Sequence, residues 1–311
     1  MGRYLIRRLL QMIPLIIGAI VLIYIALYIV PGDPVRALVG ERHITPEFRA
    51  ALEAKYHLND PLPTQLLNYF KTLLSGDLGE SYLQRRPVTT IIAETIPTTV
   101  RLSMAGLLFL VTMGITGGII SAAKRYSWGD ATVTVASIIL VSVPVFVLGF
   151  LLQIFIALNL KEVLGLPISG LQDGFKSYIL PGFTLASVSM AYLSRVQRTT
   201  LLETLDADYV RTARAKGLTE RRVLFRHAWR NSLIPVITFL GVDAGTLLGG
   251  AILTETVFNI NGLGRELAGS IARQDNQVTL GISIFVVFVY LAVNLVVDLA
   301  YAWLDPRVRY E

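Results

Sequence analysis

Three histidines, His43, His57 and His227, are all that the sequence offers for imidazole chemistry, and no two stand at metal-ligand spacing. Cysteine is absent, which removes thiolate ligands, thiol nucleophiles and disulfides together. Ser187, Ser189 and Ser194 lie in an apolar run, but no apolar run carries a histidine or lysine to activate them. A Ser–Asp pairing with Asp243 is the one arrangement left to a membrane-embedded enzyme, which would need a nucleophile–base pair or metal ligands inside the spans. There is no G-x-x-x-x-G-K-[ST] phosphate loop, so the chain is not itself an ATPase of that type. No catalytic residue and no metal site is therefore expected.

What the sequence concentrates instead is positive charge. Asp206 to Pro235, "DADYVRTARAKGLTERRVLFRHAWRNSLIP", reads as two helices joined at a glycine. Asp206 and Asp208 suit the start of the first, where the helix dipole favours anions, and Gly217 suits its left-handed C-cap. Thr219 can cap the second helix, with Leu218 and Val223 as a hydrophobic staple. Arg222, Arg226 and Arg230 recur every four residues as one basic ridge. Three readings stand: a solvated loop whose arginines only fix topology, a helix-turn-helix nucleic-acid reader, and a docking element for a partner. Tethering to membrane spans at both ends argues against the nucleic-acid reader.

These residues must be positioned by membrane helices. The 311-residue chain is 53% hydrophobic and only 16% charged, below the roughly 25% of a soluble domain. Its apolar residues cluster into six runs long enough to cross a bilayer: 9–30, 100–123, 131–158, 179–194, 234–254 and 279–303. The expected architecture is all-α, a single membrane domain over 1–311, with an outer segment 31–97 and a basic loop 195–233 between spans four and five. The fourth run is short and interrupted by Pro181 and Gly182. The first is too long for the apolar stretch of a secretory signal and reads as an uncleaved anchor. The net charge of +6 sits in short segments beside the runs. The loop between spans four and five carries nine basic residues against four acidic, whereas Pro31 to Pro97 carries seven against eight. By the positive-inside rule both termini and the loop are cytoplasmic. In the outer segment "PGDP" ends span one, Pro46–His57 shows a helical pattern through Phe48, Leu52 and Tyr56, and "PLPTQLLNYFKTLLSGDLG" reads as a second short helix stopped at Gly76.

Span five is the most patterned. Gly241, Gly245 and Gly249 make two overlapping G-x-x-x-G steps for close helix packing. Asp243, Thr246, Gly250 and Thr254 share the opposite stripe. A carboxylate at bilayer depth costs about 2.5–3.5 kcal/mol on insertion scales, so it must face protein or water. The stripe either borders a conduit or serves a hydrogen bond from Asp243 to a neighbouring helix. In span six Asp298 is placed to pair with an arginine of the basic loop, and Arg101 of span two is placed to snorkel.

The stretch "DYVRTARAKGL…VL…HAWRNSLIPVIT" strongly resembles the coupling loop of ABC importer permeases of the dipeptide/oligopeptide/nickel branch. The likeness extends through "PGDP", "YHLNDPLPTQ", "GDLGESY", "PVTTII", "PTTVRLS", "LLGGAILTETVFNINGLG" and "DPRVRY", and so covers essentially the whole chain. Only Ala213 and Gly217 keep the wider family's loop pattern, and Asn261 stands where the branch often has proline. The resemblance implies a prokaryotic inner-membrane subunit of an ATP-driven peptide importer. It implies a second homologous permease, two ATPase subunits that hold the ATP and magnesium, an extracytoplasmic binding protein and no cofactor on this chain. It implies ATPase coupling through Asp208–Pro235, with Arg211, Ala213, Lys216, Gly217, Arg222 and Arg226 at the contact and the first helix lying in a groove of the partner. Nickel-chelate import is the alternative within the family, and a secondary transporter working without an ATPase is a third.

Overall fold

A computed structural model describes residues 2–29, 35, 45–55, 59–249 and 251–304. Among them the chain is helical with no strand, apart from one isolated bridge between Glu80 and Pro87. Among the described residues four helices are long and apolar enough to cross a membrane, and counting each of two bent pairs as one span brings the number to six.

The first span is α1, Gly2–Ile29. Two short helices follow, α2 (Pro46–Lys55) and α3 (Leu62–Leu74), where helical patterning is expected. The "PGDP" stop, Tyr56, Gly250 and the terminal "DPRVRY" lie outside the described residues.

The second span, α4 (Val88–Ala123), begins twelve residues before the expected start. Its first turns are helical despite Pro97 because Val88, Ile91 and Ile92 bury against Leu263, Val278 and Ile282, and this packing outweighs the lost hydrogen bond. At 36 residues it is about 54 Å long, more than a hydrocarbon core of about 30 Å requires. A π-helical turn at Leu110–Gly114 interrupts it.

The third span is not the continuous helix expected over 131–158. It breaks into α5 (Trp128–Ser142) and α6 (Val145–Leu158), bent by 110°. Pro144 is the cause: it drives Val143 out of the helical region to φ −90°, ψ 125°.

The fourth span, α7 (Ile179–Leu205), is the central helix, packed against α4, α5 and α6. Pro181 and Gly182 sit in its first turn, where proline is tolerated, and so do not interrupt it. Gly182 serves as a contact point, since a Cβ there would lie 2.9 Å from Ala105 Cβ. Because α7 runs on to Leu205, Arg195 and Arg198 belong to the helix and not to the following loop, which starts at Asp206.

The loop holds α8 (Asp208–Ala215). Then comes α9, made of Glu220–Arg222, a π-helical stretch Val223–Ala228 and Trp229–Gly249. Beyond residue 250 lie α10 (Ala251–Val257) and α11 (Leu263–Ala272), and α12 (Asn276–Leu304) closes the fold beside α1 and α9. The main apolar core centres on α7, with Leu102, Leu110, Leu193, Val236 and Phe258 wholly buried.

Candidate functional site: a braced basic elbow and the helices it moves

The loop between α7 and α9 is a folded elbow. Gly217 adopts φ +75°, the left-handed region, with its N–H bonded to Arg214 O (2.9 Å) while Leu218 N–H reaches back to Ala213 O (3.4 Å). This is the paired C-cap bonding that favours glycine. No atom lies within 4 Å of a Cβ built there, so the requirement is for backbone angle and not for space. Asp208 lies in the first turn of α8 as expected, but Asp206 caps the end of α7 instead. Thr219 occupies the N-cap position of α9 without a side-chain hydrogen bond, contrary to expectation, whereas Leu218 and Val223 do meet in one apolar cluster.

That cluster decides which way the elbow faces. Val210, Ala213, Val223 and Ala228 bury against Ala122 of α4 and Leu201 of α7. Ala213 is only 6% exposed, so its methyl faces the chain's own bundle, and a contact through that side chain with a partner is not available. Arg211, Lys216, Gly217, Arg222, Arg226 and Arg230 are all exposed. Across the turn Arg214 Nε donates to Glu220 Oε1 at 2.8 Å, and Asn231 Nδ2 of α9 donates to the Tyr209 hydroxyl of α8 at 2.9 Å. The two arms of the elbow are thus tied to each other and to α4 and α7.

Directly behind the elbow stands a polar knot. Arg198 Nη2 and Nε donate to the two oxygens of Asp130 at 2.9 and 3.0 Å, and Nε also reaches Ser121 Oγ at 2.9 Å. Ser121 Oγ donates to Asp130 as well. Tyr126, at φ +61° in the tight turn between α4 and α5, donates its N–H to Asp130 Oδ2 at 3.0 Å. Beside it Gln197 Nε2 donates to Ser232 Oγ at 3.0 Å, and a Cβ on Gly118 would meet Gln197 Cβ at 2.5 Å. Spans two to five are knotted together at the elbow end.

Above the knot the expected stripe of span five is only partly realised. Asp243 accepts from Ser189 Oγ of α7 at 2.9 Å and from Thr246 Oγ1 at 3.0 Å, the neighbouring-helix hydrogen bond that was one of its two readings. Neither α7 nor the membrane part of α9 carries a histidine or lysine, so the Ser–Asp pair is a helix-to-helix tie. Thr246 is exposed, but Thr254 is wholly buried in α10 and so does not line an open face of this chain. On the other side a Cβ on Gly245 would lie 3.1 Å from the Tyr290 ring and one on Gly249 would lie 3.9 Å from Val286 Cγ1. These two glycines admit α12; Gly241 is half-buried. Asp298 pairs not with the elbow but with Arg8 of α1 at 3.2 Å, because α12 lies beside α1.

The end opposite the elbow holds two buried carboxylates. Glu255, wholly buried, accepts from Thr99 Oγ1 (2.6 Å) and from Arg265 N–H (2.9 Å) at the start of α11, where anions are favoured. Asp275 accepts from Ser81 Oγ, from the Tyr82 and Leu83 N–H groups (both 3.3 Å) and from Val278 N–H (3.4 Å) at the start of α12. The sequence reading includes the stretch with Glu255 but gives that residue no role, and it does not reach Asp275 or the Ser121–Asp130–Arg198 knot. The available signal was a lone carboxylate at the edge of an apolar run, as at Asp130 and Glu255.

The described residues form a helical membrane bundle whose spans two to five are knotted together beside a basic elbow. The chain belongs to the binding-protein-dependent transport system inner membrane component family, which it matches over residues 114–310, with that family's N-terminal component over 1–103. It is 36% identical to the dipeptide transport system permease protein DppB of Escherichia coli K12, over 100% of each chain. It is 37% identical to the di/tripeptide permease DppB of Pseudomonas aeruginosa, over 99% of each. It is 38% identical to the glutathione permease GsiC of Pectobacterium atrosepticum, over 100% of each. Among solved structures, the MetNI methionine ABC transporter in inward-facing form shares the fold, with TM-score 0.55 and 16% identity over 69% of this chain and 96% of that one. The protein is a multi-pass membrane permease component.

Proposed function

We propose that this chain is one of two homologous permeases of an ATP-driven importer of short peptides, with the path running between them. The observation that carries the substrate class is full-length likeness to permeases named for dipeptides, di/tripeptides and glutathione, itself a tripeptide. Two ATPase subunits, which bind the ATP and magnesium, dock on the elbow, and a binding protein delivers substrate at the opposite end. The surplus of basic residues on the elbow supports a cytoplasmic position for it and for both termini.

The mechanical part rests on the apolar cluster that ties the elbow to α4 and α7. A partner gripping the exposed Arg211, Lys216, Arg222 and Arg226 moves α8, and the buried Val210 and Ala213 carry that motion to α4 and α7. Driving such a switch from one state almost wholly to the other requires about 5.5 kcal/mol of differential binding. A loop free in solvent could not transmit it. The exposed Thr246 and the Ser189–Asp243 tie support a polar lining on α9 and α7.

The ligand that co-purifies with the cognate binding protein tests the substrate class. A dipeptide or tripeptide is expected, and a nickel chelate in its place would overturn the peptide reading.

A further inference from the structure

We propose that α3 is an amphipathic helix seated in the lipid boundary at the end opposite the elbow, with Leu67, Phe70 and Leu74 against acyl chains. Its depth is fixed by two independent helices. Arg8 of α1 and Asp298 of α12 pair at 3.2 Å with both side chains partly exposed, and the cost of burying charge in lipid is the reason to set this pair at the edge of the hydrocarbon on the elbow side. The inner face of α3 packs on Ile20 and Tyr24 of α1 and on Leu280 and Ile284 of α12, with the Tyr24 and Tyr69 rings 5.9 Å apart. The α1 residues of that cluster run from Ile16 through Ile20 to Leu27, about 12, 18 and 28 Å from Arg8 at 1.5 Å per residue. Counted the other way along α12, Ile284 and Leu280 lie about 21 and 27 Å from Asp298. Counted along two helices that run in opposite directions, the buried members Ile20, Tyr24, Ile284 and Leu280 fall in the half of a hydrocarbon core of about 30 Å that lies away from the elbow.

The faces of α3 suit that level. Leu67 and Leu74 are 56% and 87% exposed and stand seven residues apart on one stripe, beside the half-buried Phe70. This stripe adjoins the packed face, so one apolar arc continues past the protein. Thr64, Asn68 and Lys71 are exposed on the remaining flank. A wide apolar arc with a polar remainder is the pattern of a helix lying in a membrane interface, and Lys71 at the margin can reach out to headgroups. The occupant is argued to be lipid from the neighbouring surface. Leu22 and Ile25 of α1, at the same level, are themselves 71% and 41% exposed, so the flank continues the lipid-facing surface of α1.

The absence of cysteine makes the test direct. Single cysteines replacing Leu67, Leu74, Thr64 and Asn68 are spin-labelled in the full chain, which is reconstituted in phosphatidylcholine–phosphatidylglycerol vesicles. Collision with oxygen and with a water-soluble nickel chelate is then compared. The proposal expects an oxygen-to-nickel ratio severalfold higher at Leu67 and Leu74 than at Thr64 and Asn68. Equal ratios would overturn it, as would shielding of Leu67 and Leu74 from both reagents or lipid-like values only after the partner proteins are added. Leu74→Trp gives a second readout: brominated lipids should quench its emission, and failure to quench counts equally against the proposal.

Discussion

Arg198 grips Asp130 with two nitrogens, at 2.9 and 3.0 Å, and so joins the fourth span to the start of the third just behind the basic elbow. Asp130 is nearly buried and Arg198 is 30% exposed, so the pair is neither a surface contact nor a sealed one. Asp130→Asn should destabilise the chain by about 1.5–3 kcal/mol, the range for hydrogen bonds to charged groups. Arg198→Lys should lose nearly as much, because an ammonium cannot reproduce the fork. Thermal unfolding of the detergent-solubilised chain reads both, and an unshifted midpoint would contradict the knot.

At the opposite end, a Cβ on Gly262 would stand 2.2 Å from Glu255 Oε1, and one on Gly264 would stand 2.6 Å from Ile252 Cα. Gly264→Ala meets backbone that cannot step aside and should cost about 1–3 kcal/mol. Gly262→Ala meets a side chain, so its cost should shrink when Glu255→Ala is already present. A double-mutant cycle on unfolding free energies checks this: a strong departure from additivity is expected, and simple addition would show that the two do not touch.

Much of this arrangement was legible in the sequence where the physics is local. Apolar run length gave the spans, and the glycine at 217 gave the turn, because only backbone sterics are involved. What could not be read was non-local. Nothing near Asp298 says that its partner is Arg8 and not an elbow arginine, since that depends on α12 lying beside α1. The inward face of Ala213 depends in the same way on Ala122 and Leu201, and the helicity of 88–97 on Leu263 and Val278. Pro144 was a local signal for the break in the third span, and it was overlooked in a long apolar run.

The Arg8–Asp298 pair should matter less than the knot. Its side chains are 43% and 26% exposed, and such pairs contribute about 0.2–1 kcal/mol. Asp298→Asn should therefore shift the unfolding midpoint by less than Asp130→Asn does under the same conditions. A larger shift would mean that α1 is held to α12 chiefly by this pair and not by the apolar contacts of Ile20 and Tyr24.

Gly217 separates backbone angle from bulk. Asparagine tolerates φ near +75° and leucine does not, and no neighbour crowds the position. Gly217→Leu should strain the turn by about 1–2 kcal/mol and cut uptake while ATP hydrolysis continues, or detach the ATPases. Gly217→Asn should keep most of both activities. Equal loss in the two variants would point to a direct contact by glycine itself.

The central claim is that this bundle moves solute only when pushed through its elbow. Vesicles containing the chain and the second permease proposed for it, with and without the proposed ATPase subunits, are supplied with the binding protein of the proposed assembly, ATP and a labelled dipeptide. Accumulation against a gradient is predicted only in the complete assembly. Accumulation by the permeases alone would contradict the account.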